Sequence, residues 1–289
     1  MNEKLSCPLC HGNDLKTTLF IKEMRVLKCA SCGMMFQDPV KMPLLKNEDF
    51  TESYAVNDEE SLKLKTDIET GERLKYLTQF IGKDLKGKKI LELGAGAGVL
   101  ADLLIQSGAD YRGIEPSSPM HELAIKNFPI LKNHLQKTTF DHLNLEKDYF
   151  DAILMIDVFE HIPDPLNFLK KIKGCLKKEG ILYIEVPNES FLKIKGFLRN
   201  KMRLYGGYPT HPSHVSLFTL KTLRKILDLS GMNRVSIFQL SVWGNRQRLE
   251  LALKDRLPGW LCLASDFFNL TKLDLMLGQG NLIGVARKI

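Results

Sequence analysis

The 289-residue sequence lacks any uninterrupted run of about 18 apolar residues, the length that a membrane-spanning helix needs. Its first residues, MNEKLSCPLC, also lack the apolar core of a secretory signal peptide. We therefore expect a cytoplasmic protein without a membrane span. Because the cytoplasm is reducing, we expect the six cysteines to be thiols or metal ligands rather than disulfides.

Acidic residues are in the minority, with 34 Asp and Glu against 41 Lys and Arg, which gives a formal net charge of +7. This excess favours acidic partners such as phosphates, nucleotides, anionic sugars or nucleic acid. The composition is 44% hydrophobic and 26% charged, which excludes a largely disordered or fibrous chain. The length leaves room for one large domain and one small one.

Four cysteines form two pairs near the N-terminus, Cys-Pro-Leu-Cys at 7–10 and Cys-Ala-Ser-Cys at 29–32. A two-residue gap allows a tight turn to aim both sulfurs at one ion, and the 18 residues between the pairs are typical of a structural zinc site. We predict a zinc ribbon over residues 1–44 in which four thiolates fill the metal's coordination shell. The ligands are Cys7, Cys10, Cys29 and Cys32. Cys175 and Cys262 have apolar neighbours and are predicted as small core residues.

A polar connector at 45–62 precedes a predicted α/β domain over 63–289, which opens with an amphipathic helix at 63–81. Residues 89–100 then read as an apolar strand, a glycine turn and the beginning of a helix, which is typical of a cofactor-binding site. The glycines are Gly94, Gly96 and Gly98. The dinucleotide fingerprint needs a glycine where this chain has Val99, so the spacing argues against a nicotinamide cofactor.

Two acidic residues accompany this turn. Glu92 precedes the glycines, where its carboxylate could hold a cationic amine. Glu115 ends the next predicted strand, 17 residues after Gly98, where carboxylates of doubly wound folds accept hydrogen bonds from ribose hydroxyls. A later apolar strand at 150–156 completes the order that one βαβ cofactor site requires.

Four segments carry a family resemblance: ILELGAGAG at 90–98, RGIEPS at 112–117, YFDAILMIDVFEHIPDP at 149–165 and EGILYIEVPN at 179–188. On these the chain resembles the class I methyltransferases that depend on S-adenosylmethionine (SAM). With the cysteine pairs before them and HPSHVSLFT at 211–219 after them, it is similar to zinc-ribbon methyltransferases that tailor sugars, surface polysaccharides and secondary metabolites. The resemblance implies an α/β fold with a doubly wound, Rossmann-like sheet of seven mostly parallel strands and an antiparallel final strand.

The resemblance also implies SAM as the cofactor. Gly94, Ala95 and Gly96 would line its methionine part, Glu115 would hold the ribose, and Thr139 or Phe140 would lie near the adenine. Core packing is the alternative for Phe140. The full predicted cofactor-binding set is Glu92, Gly94, Ala95, Gly96, Gly98, Glu115, Thr139, Phe140 and Asp157.

Histidine is the natural general base near neutral pH, and three histidines fall where the family places its substrate cleft. They are His161, His211 and His214, of which the resemblance favours His214. Glu160 completes the catalytic candidates. Together, Asp157, Glu160 and His161 could bind a divalent ion, because ubiquinone-pathway O-methyltransferases with a similar Glu-His motif are associated with one. Alternatively, Glu160 and His161 could shape the loop before Pro163.

Two further segments keep alternatives open. Residues 193–203 carry five cations and no acid, directly upstream of the loop at 205–209 within a predicted lid at 189–218. This run is either a solvated face or an anion site for the diphosphate of a nucleotide sugar or for an RNA backbone. The predicted insertion at 245–277 would cover the cleft or form a homodimer surface.

The leading hypothesis is a SAM-dependent methyltransferase that acts on O, C or N of a small metabolite, anionic or sugar-containing. The first alternative is an RNA base methyltransferase that uses the ribbon as an RNA clamp, although the ribbon has neither interleaved aromatics nor a dense basic stripe. The second is a non-catalytic SAM-binding or scaffold protein, which would need no histidines in the cleft.

Overall fold

A computed structural model describes residues 5–21, 24–38, 70–71, 73–142, 145–190, 213–239 and 281–289. These residues form one sheet of four strands and one of seven. The predicted connector at 45–62, the cationic run at 193–203, the insertion at 245–277 and His211 lie outside these ranges. None of the helices within them is long and apolar enough to cross a membrane.

The cysteine pairs lie at the ends of a short antiparallel unit. Strands β1 (Leu15–Ile21) and β2 (Met24–Cys29) form a hairpin, and β3 (Met35–Gln37) returns alongside β2. Between β2 and β3 the chain turns sharply through Gly33, whose φ of 81° is in the left-handed region that glycine adopts at little cost. Residues 5–38 therefore have the hairpin that the sequence predicts for a ribbon.

The larger sheet carries the strand order of the predicted fold. Its strands are β4 (Lys89–Leu93), β5 (Asp110–Ile114), β6 (Leu135–Gln136), β7 (Phe150–Ile156), β8 (Leu176–Pro187), β10 (Asn233–Gln239) and β11 (Asn281–Arg287). They lie in the order β10-β11-β8-β7-β4-β5-β6. In this sheet β11 runs antiparallel to both of its neighbours, β10 and β8, and all other neighbouring strands are parallel. The predicted Rossmann-like sheet with one antiparallel final strand is confirmed.

Five helices accompany these strands: α1 (73–81), α2 (Val99–Gln106), α3 (Ser118–Asn127), α4 (Pro165–Cys175) and α5 (Leu220–Leu229). Side-chain caps explain two of the starts. Asp164 accepts from the amide of Asn167 at the start of α4, and Thr219 forms a capping box with Thr222 at the start of α5.

Two predicted boundaries need correction. The amphipathic pattern over 165–178 predicts a helix, but that helix ends at Cys175, because Leu176 pairs with Phe150 and begins β8. A third strand, weakly patterned in the sequence, is expected around Ile130 to Gln136, but Pro129–Asn133 forms a 3₁₀ turn and β6 has only two residues. A proline that lacks an amide proton disfavours a longer strand there.

The two sheets share one hydrophobic core. Strand β9 (Ser216–Leu217) follows β8 of the larger sheet in sequence, yet it pairs with β3 and completes the ribbon's sheet in the order β1-β2-β3-β9. Buried Leu9 and Phe36 of the ribbon belong to the same core as Phe159 and Phe218. Residues 215–218 are therefore buried against the ribbon, whereas residues 191–212 of the predicted lid lie outside the described ranges.

Candidate functional site

The glycine turn connects the carboxyl end of β4 to α2. Gly94, Gly96 and Gly98 all have φ in the left-handed region, at 75°, 54° and 83°. A Cβ on Gly94 would lie 2.5 Å from Val158 Cγ2, and one on Gly98 would lie 2.5 Å from Leu131 Cδ1, so packing requires glycine at both positions. A Cβ on Gly96 would meet nothing closer than 3.9 Å. The backbone of Gly96 is thus open to the close approach of a ligand.

The carboxylate of Glu115 holds the turn in place. Its Oε2 accepts from the amide of Gly96 at 2.9 Å, and its Oε1 accepts from the amide of Ser117 at 2.8 Å. Burial raises the pKa of Glu115, although both amides oppose the shift. Each oxygen retains a further lone pair, so this geometry fits the predicted contact with a ribose. Gly94 and the neighbouring Ala95 donate their amides to the carbonyl of Ile114.

Glu92 lies beneath the turn, only 3% exposed. Its Oε2 accepts from the hydroxyl of Tyr111 at 2.7 Å. Gly113 pairs with Glu92 on the neighbouring strand, and a Cβ at position 113 would collide with the Tyr111 hydroxyl. Glycine therefore leaves the space that this hydroxyl needs to reach Glu92. Burial raises the pKa of Glu92 to about 7. The predicted contact of Glu92 with a cationic amine stays a prediction.

The adenine candidates follow β6. Thr139 is exposed, and its Oγ1 lies 3.0 Å from Nδ1 of His142. The ring of Phe140 packs against Phe168 of α4, with the centroids 4.7 Å apart. This contact is the core packing that was the alternative for Phe140, and a contact of either residue with adenine stays a prediction.

Asp157 follows β7 with a φ of 53° and belongs to a network that spans three elements. Its Oδ1 accepts from Asn281 at 3.3 Å, and its Oδ2 lies 3.6 Å from Nη2 of Arg73. Arg73, on α1, also donates two hydrogen bonds of 2.9 Å to the buried Glu185 of β8. Neither Arg73 nor Glu185 was among the residues predicted for the site. The available signal was Glu185, the one charged residue in the run at 181–187 of β8.

Glu160, His161 and His214 meet beyond the end of β7. Phe159–His161 form a 3₁₀ turn, and His214 directly precedes the buried segment that contains β9. His214 Nε2 lies 3.9 Å from Glu160 Oε1, and the two imidazole centroids are 5.0 Å apart. His161 Nδ1 lies 3.0 Å from the carbonyl oxygen of Ser213, which can only accept, so Nδ1 donates. Two of the three predicted histidines are therefore together.

Glu160 is buried at 1% exposure, and neither of its carboxylate oxygens has a hydrogen-bond partner among the residues that the structure describes. Burial raises the pKa of Glu160 well above its usual range, and the negative charges of Asp157, Glu185 and Glu189 raise it further. A positive charge beside Glu160 would oppose this shift, so an imidazolium that forms on His214 during proton transfer would favour the carboxylate form of Glu160.

Glu160, His161 and His214 each place a ligand atom within 4.8 Å of the others. This group differs from the set of Asp157, Glu160 and His161 that the resemblance implied for a divalent ion. Asp157 lies outside it and pairs with Arg73 and Asn281 instead. A metal at this cluster stays a prediction.

The four ribbon cysteines converge on one point. Their sulfurs all lie within 4.8 Å of one another, with Cys7 3.5 Å from Cys32 and Cys10 3.6 Å from Cys29. Tetrahedral zinc with Zn–S bonds of about 2.3 Å separates its sulfurs by about 3.8 Å. The amide of Leu9 points at the Cys7 sulfur from 3.4 Å, as a bond that supports a thiolate does. The donor set and its spacing fit Zn²⁺.

Comparisons with known proteins agree with this geometry. The family model described as "Methyltransferase domain" matches residues 67–237. Ubiquinone biosynthesis O-methyltransferase of Haemophilus ducreyi is 34% identical over 127 residues, which cover 41% of this chain and 52% of that protein. The chain thus spans about half the length of this curated relative.

Two solved structures share the fold. A SAM-dependent methyltransferase from Archaeoglobus fulgidus has a TM-score of 0.53 and 19% identity, and the match covers 77% of this chain and 94% of that one. Phosphoethanolamine N-methyltransferase 2 of Haemonchus contortus, in complex with SAM, has a TM-score of 0.55 and 17% identity, with 88% and 62% covered.

Proposed function

The chain belongs to the methyltransferase-domain family, and we propose that it transfers a methyl group from SAM to a hydroxyl oxygen of a small metabolite. The observation that carries the proposal is the meeting of His214 and Glu160, 3.9 Å apart, beyond the same strand edge as the open glycine turn. A hydroxyl must lose its proton as it attacks, and an imidazole beside a buried carboxyl group is suited to take it.

The residues of the turn and of the neighbouring strand ends would hold the cofactor. The open backbone of Gly96 admits its close approach, Glu115 accepts from its ribose hydroxyls, and Asp157 lies at the adjoining strand end. When bound, SAM supplies an electrophilic methyl group on a positively charged sulfur. The protein's remaining task is to align the acceptor and to remove its proton.

His214 would take the proton of the acceptor hydroxyl. The imidazolium that results lies beside Glu160, and the carboxylate form of Glu160 stabilises it. The Nδ1–H of His161 donates to the carbonyl of Ser213, which holds the loop and leaves Nε2 of His161 as the second candidate to take a proton. The curated relative from Haemophilus ducreyi is named an O-methyltransferase, which supports an oxygen acceptor.

Charge and family resemblance together suggest the acceptor class. The formal net charge of +7 favours an anionic metabolite, and the resemblance to sugar-tailoring methyltransferases favours a sugar-containing one, such as a nucleotide sugar. A reducing compartment suits the thiolate ligands of the ribbon, so we expect the protein in the cytoplasm. A homodimer and an RNA acceptor receive no support from the residues that the structure describes.

The test uses purified protein with methyl-labelled SAM and cytoplasmic extract. We expect label in the small-molecule fraction, resistant to ribonuclease and base-stable as an ether is. The variant Gly96→Asp, which fills the open face of the turn, is the negative control. Label in ribonuclease-sensitive material would overturn the proposal in favour of RNA methylation. SAM binding without any methyl transfer would overturn it in favour of a non-catalytic SAM-binding scaffold.

A further inference from the structure

We propose that the cysteine ribbon positions the active-site histidine: strand β3 of the ribbon holds β9, and β9 holds His214 beside Glu160. The role of His214 as base rests on the proposed function. The mechanical link between the ribbon and His214 does not, and it can be measured without an acceptor.

The first link is the strand pairing. Met35 and Phe36 of β3 pair with Leu217 and Ser216 of β9. The ladder extends one step further, where the amide of Gln37 donates to the carbonyl of Val215 at 2.9 Å. Val215 directly follows His214, so the ribbon fixes the backbone at the residue next to the imidazole.

A second bond fixes the other side of His214. The carbonyl of Ser213 accepts from Nδ1 of His161 at 3.0 Å. The two carbonyls that flank His214 are thus held from different directions, one by the ribbon and one by the 3₁₀ turn that carries Glu160. The carbonyl of Ser213 belongs to the peptide that precedes His214, and the carbonyl of Val215 belongs to the peptide one residue beyond it, so the two bonds hold the backbone before and after the histidine.

The cysteine cluster and an ion pair hold the two ends of β3. At its beginning, Cys29 donates its amide to the carbonyl of Met34 at 2.9 Å, so the second cysteine pair sets the start of the strand. At its end, the buried Asp38 accepts from Nε of Arg25 at 2.8 Å, and its amide donates to the carbonyl of Arg25. The position of β3, and with it that of β9, therefore depends on the folded ribbon.

Aromatic packing carries the same link through the core. Phe159, which precedes Glu160, stacks on Phe218, which follows β9, with centroids 5.0 Å apart and an interplanar angle of 10°. Glu189 donates its amide to the carbonyl of Phe218 at 2.8 Å. This packing sets the distance between the turn of Glu160 and strand β9, while the ribbon sets the register of β9.

Loss of the metal should therefore separate two properties of the protein. A small Cys₄ ribbon folds with its metal, and a two-residue strand such as β9 is not stable without a partner. The glycine turn depends on Glu115 and on the larger sheet instead. Metal removal should release His214 and leave the cofactor site intact.

Hydrogen exchange on the full chain tests this directly. After a chelator removes zinc, we expect amides at 213–219 to exchange at least about tenfold faster. Peptides from β4 and β7 should keep their protection, and the Kd for SAM should stay within about twofold. The proposal is overturned if residues 5–38 lose protection while 213–219 do not, or if β4 and β7 lose protection to the same extent.

A variant that keeps all four cysteines gives the second test. Arg25→Ala removes the ion pair at the end of β3, and Arg234→Ala is its control because it removes an exposed ion pair with Glu179. We expect Arg25→Ala to retain zinc and the Kd for SAM, to exchange faster at 213–219, and to lower kcat about tenfold or more. Equal exchange in both variants would refute the link. If the wild type transfers no methyl group, the proposed function fails and the exchange data still decide this inference.

Discussion

His214 Nε2 lies 3.9 Å from Glu160 Oε1, although all of α4, all of β8 and residues 191–212 separate the two in sequence. Glu160 has no other polar partner among the described residues and is almost fully buried. A buried carboxyl group without a partner costs free energy, which a protein tolerates most readily at a functional site. The pair is therefore the first target for mutation.

Replacement of His214 by Ala should reduce kcat by about 10²–10⁴-fold, because the acceptor proton loses its base. The Kd for SAM should remain within about twofold of wild type, since the glycine turn does not contact His214 through any described bond. His134→Ala is the matched control: His134 hydrogen-bonds the carbonyl of Tyr111 instead. Transfer kinetics with calorimetric SAM binding provide the measurement, and equal rates for the two variants would exclude His214 as the base.

Gly96→Ala should weaken SAM binding by about tenfold or more, because the new methyl group occupies the side from which the ligand approaches. The free energy of unfolding should fall by only about 1–2 kcal/mol, the cost of a left-handed alanine. Gly82→Ala is the control: its φ is 106°, its Cβ would also meet open space, and it lies at the end of α1. If both variants bind SAM alike, the turn does not hold the cofactor.

Gly94→Ala should behave differently from Gly96→Ala. Its methyl group would lie 2.5 Å from Val158, so the loop before Glu160 must shift as well. We expect a lower Tm than that of Gly96→Ala together with weaker SAM binding. Thermal unfolding in the absence of SAM separates the two variants, and equal Tm values would show that Val158 moves aside freely.

Stability should depend on pH through Glu92. Its pKa is raised from 4.5 to about 7, so the folded state binds the proton more tightly than the unfolded state. The stabilisation is complete below pH 4.5 and is lost as the pH rises to about 7. Relative to Glu92→Gln, the free energy of unfolding of the wild type should fall by about 3 kcal/mol over this range. Denaturant unfolding at several pH values measures the difference, and parallel profiles for the two proteins would contradict the prediction.

Arg73→Met should lower the free energy of unfolding by about 3–5 kcal/mol, because it removes the cation and two hydrogen bonds from the buried Glu185 and leaves it only the bond from Asn281 among the described residues. The double variant Arg73→Met with Glu185→Met should recover part of that loss. The exposed pair of Arg234 and Glu179 serves as the control, and its removal should cost less than about 1 kcal/mol. Additive effects of the two buried substitutions would show that the pair does not couple.

Much of the larger sheet could be read from local patterns. The strand at 150–156 has the predicted bounds. The apolar run from Leu282 to Ala286 predicts a closing strand, and β11 extends beyond it by one residue at each end. The helix at 165–178 was predicted too long because amphipathic periodicity continues past Cys175, whereas Leu176 pairs with Phe150. Helical spacing is visible in a short window of sequence, but the competing strand partner is not.

The candidate site divides in the same way. Glycine, acid and cysteine motifs are contiguous or regularly spaced, so their residue types and spacing were enough to predict the cofactor turn and the metal ligands. The pairing of Met35 with Leu217, the approach of Arg73 to Glu185 and the two bonds that flank His214 join segments far apart in the chain. Such contacts arise only when the whole core packs, because no short stretch of sequence encodes which distant strand or carboxylate will lie beside it.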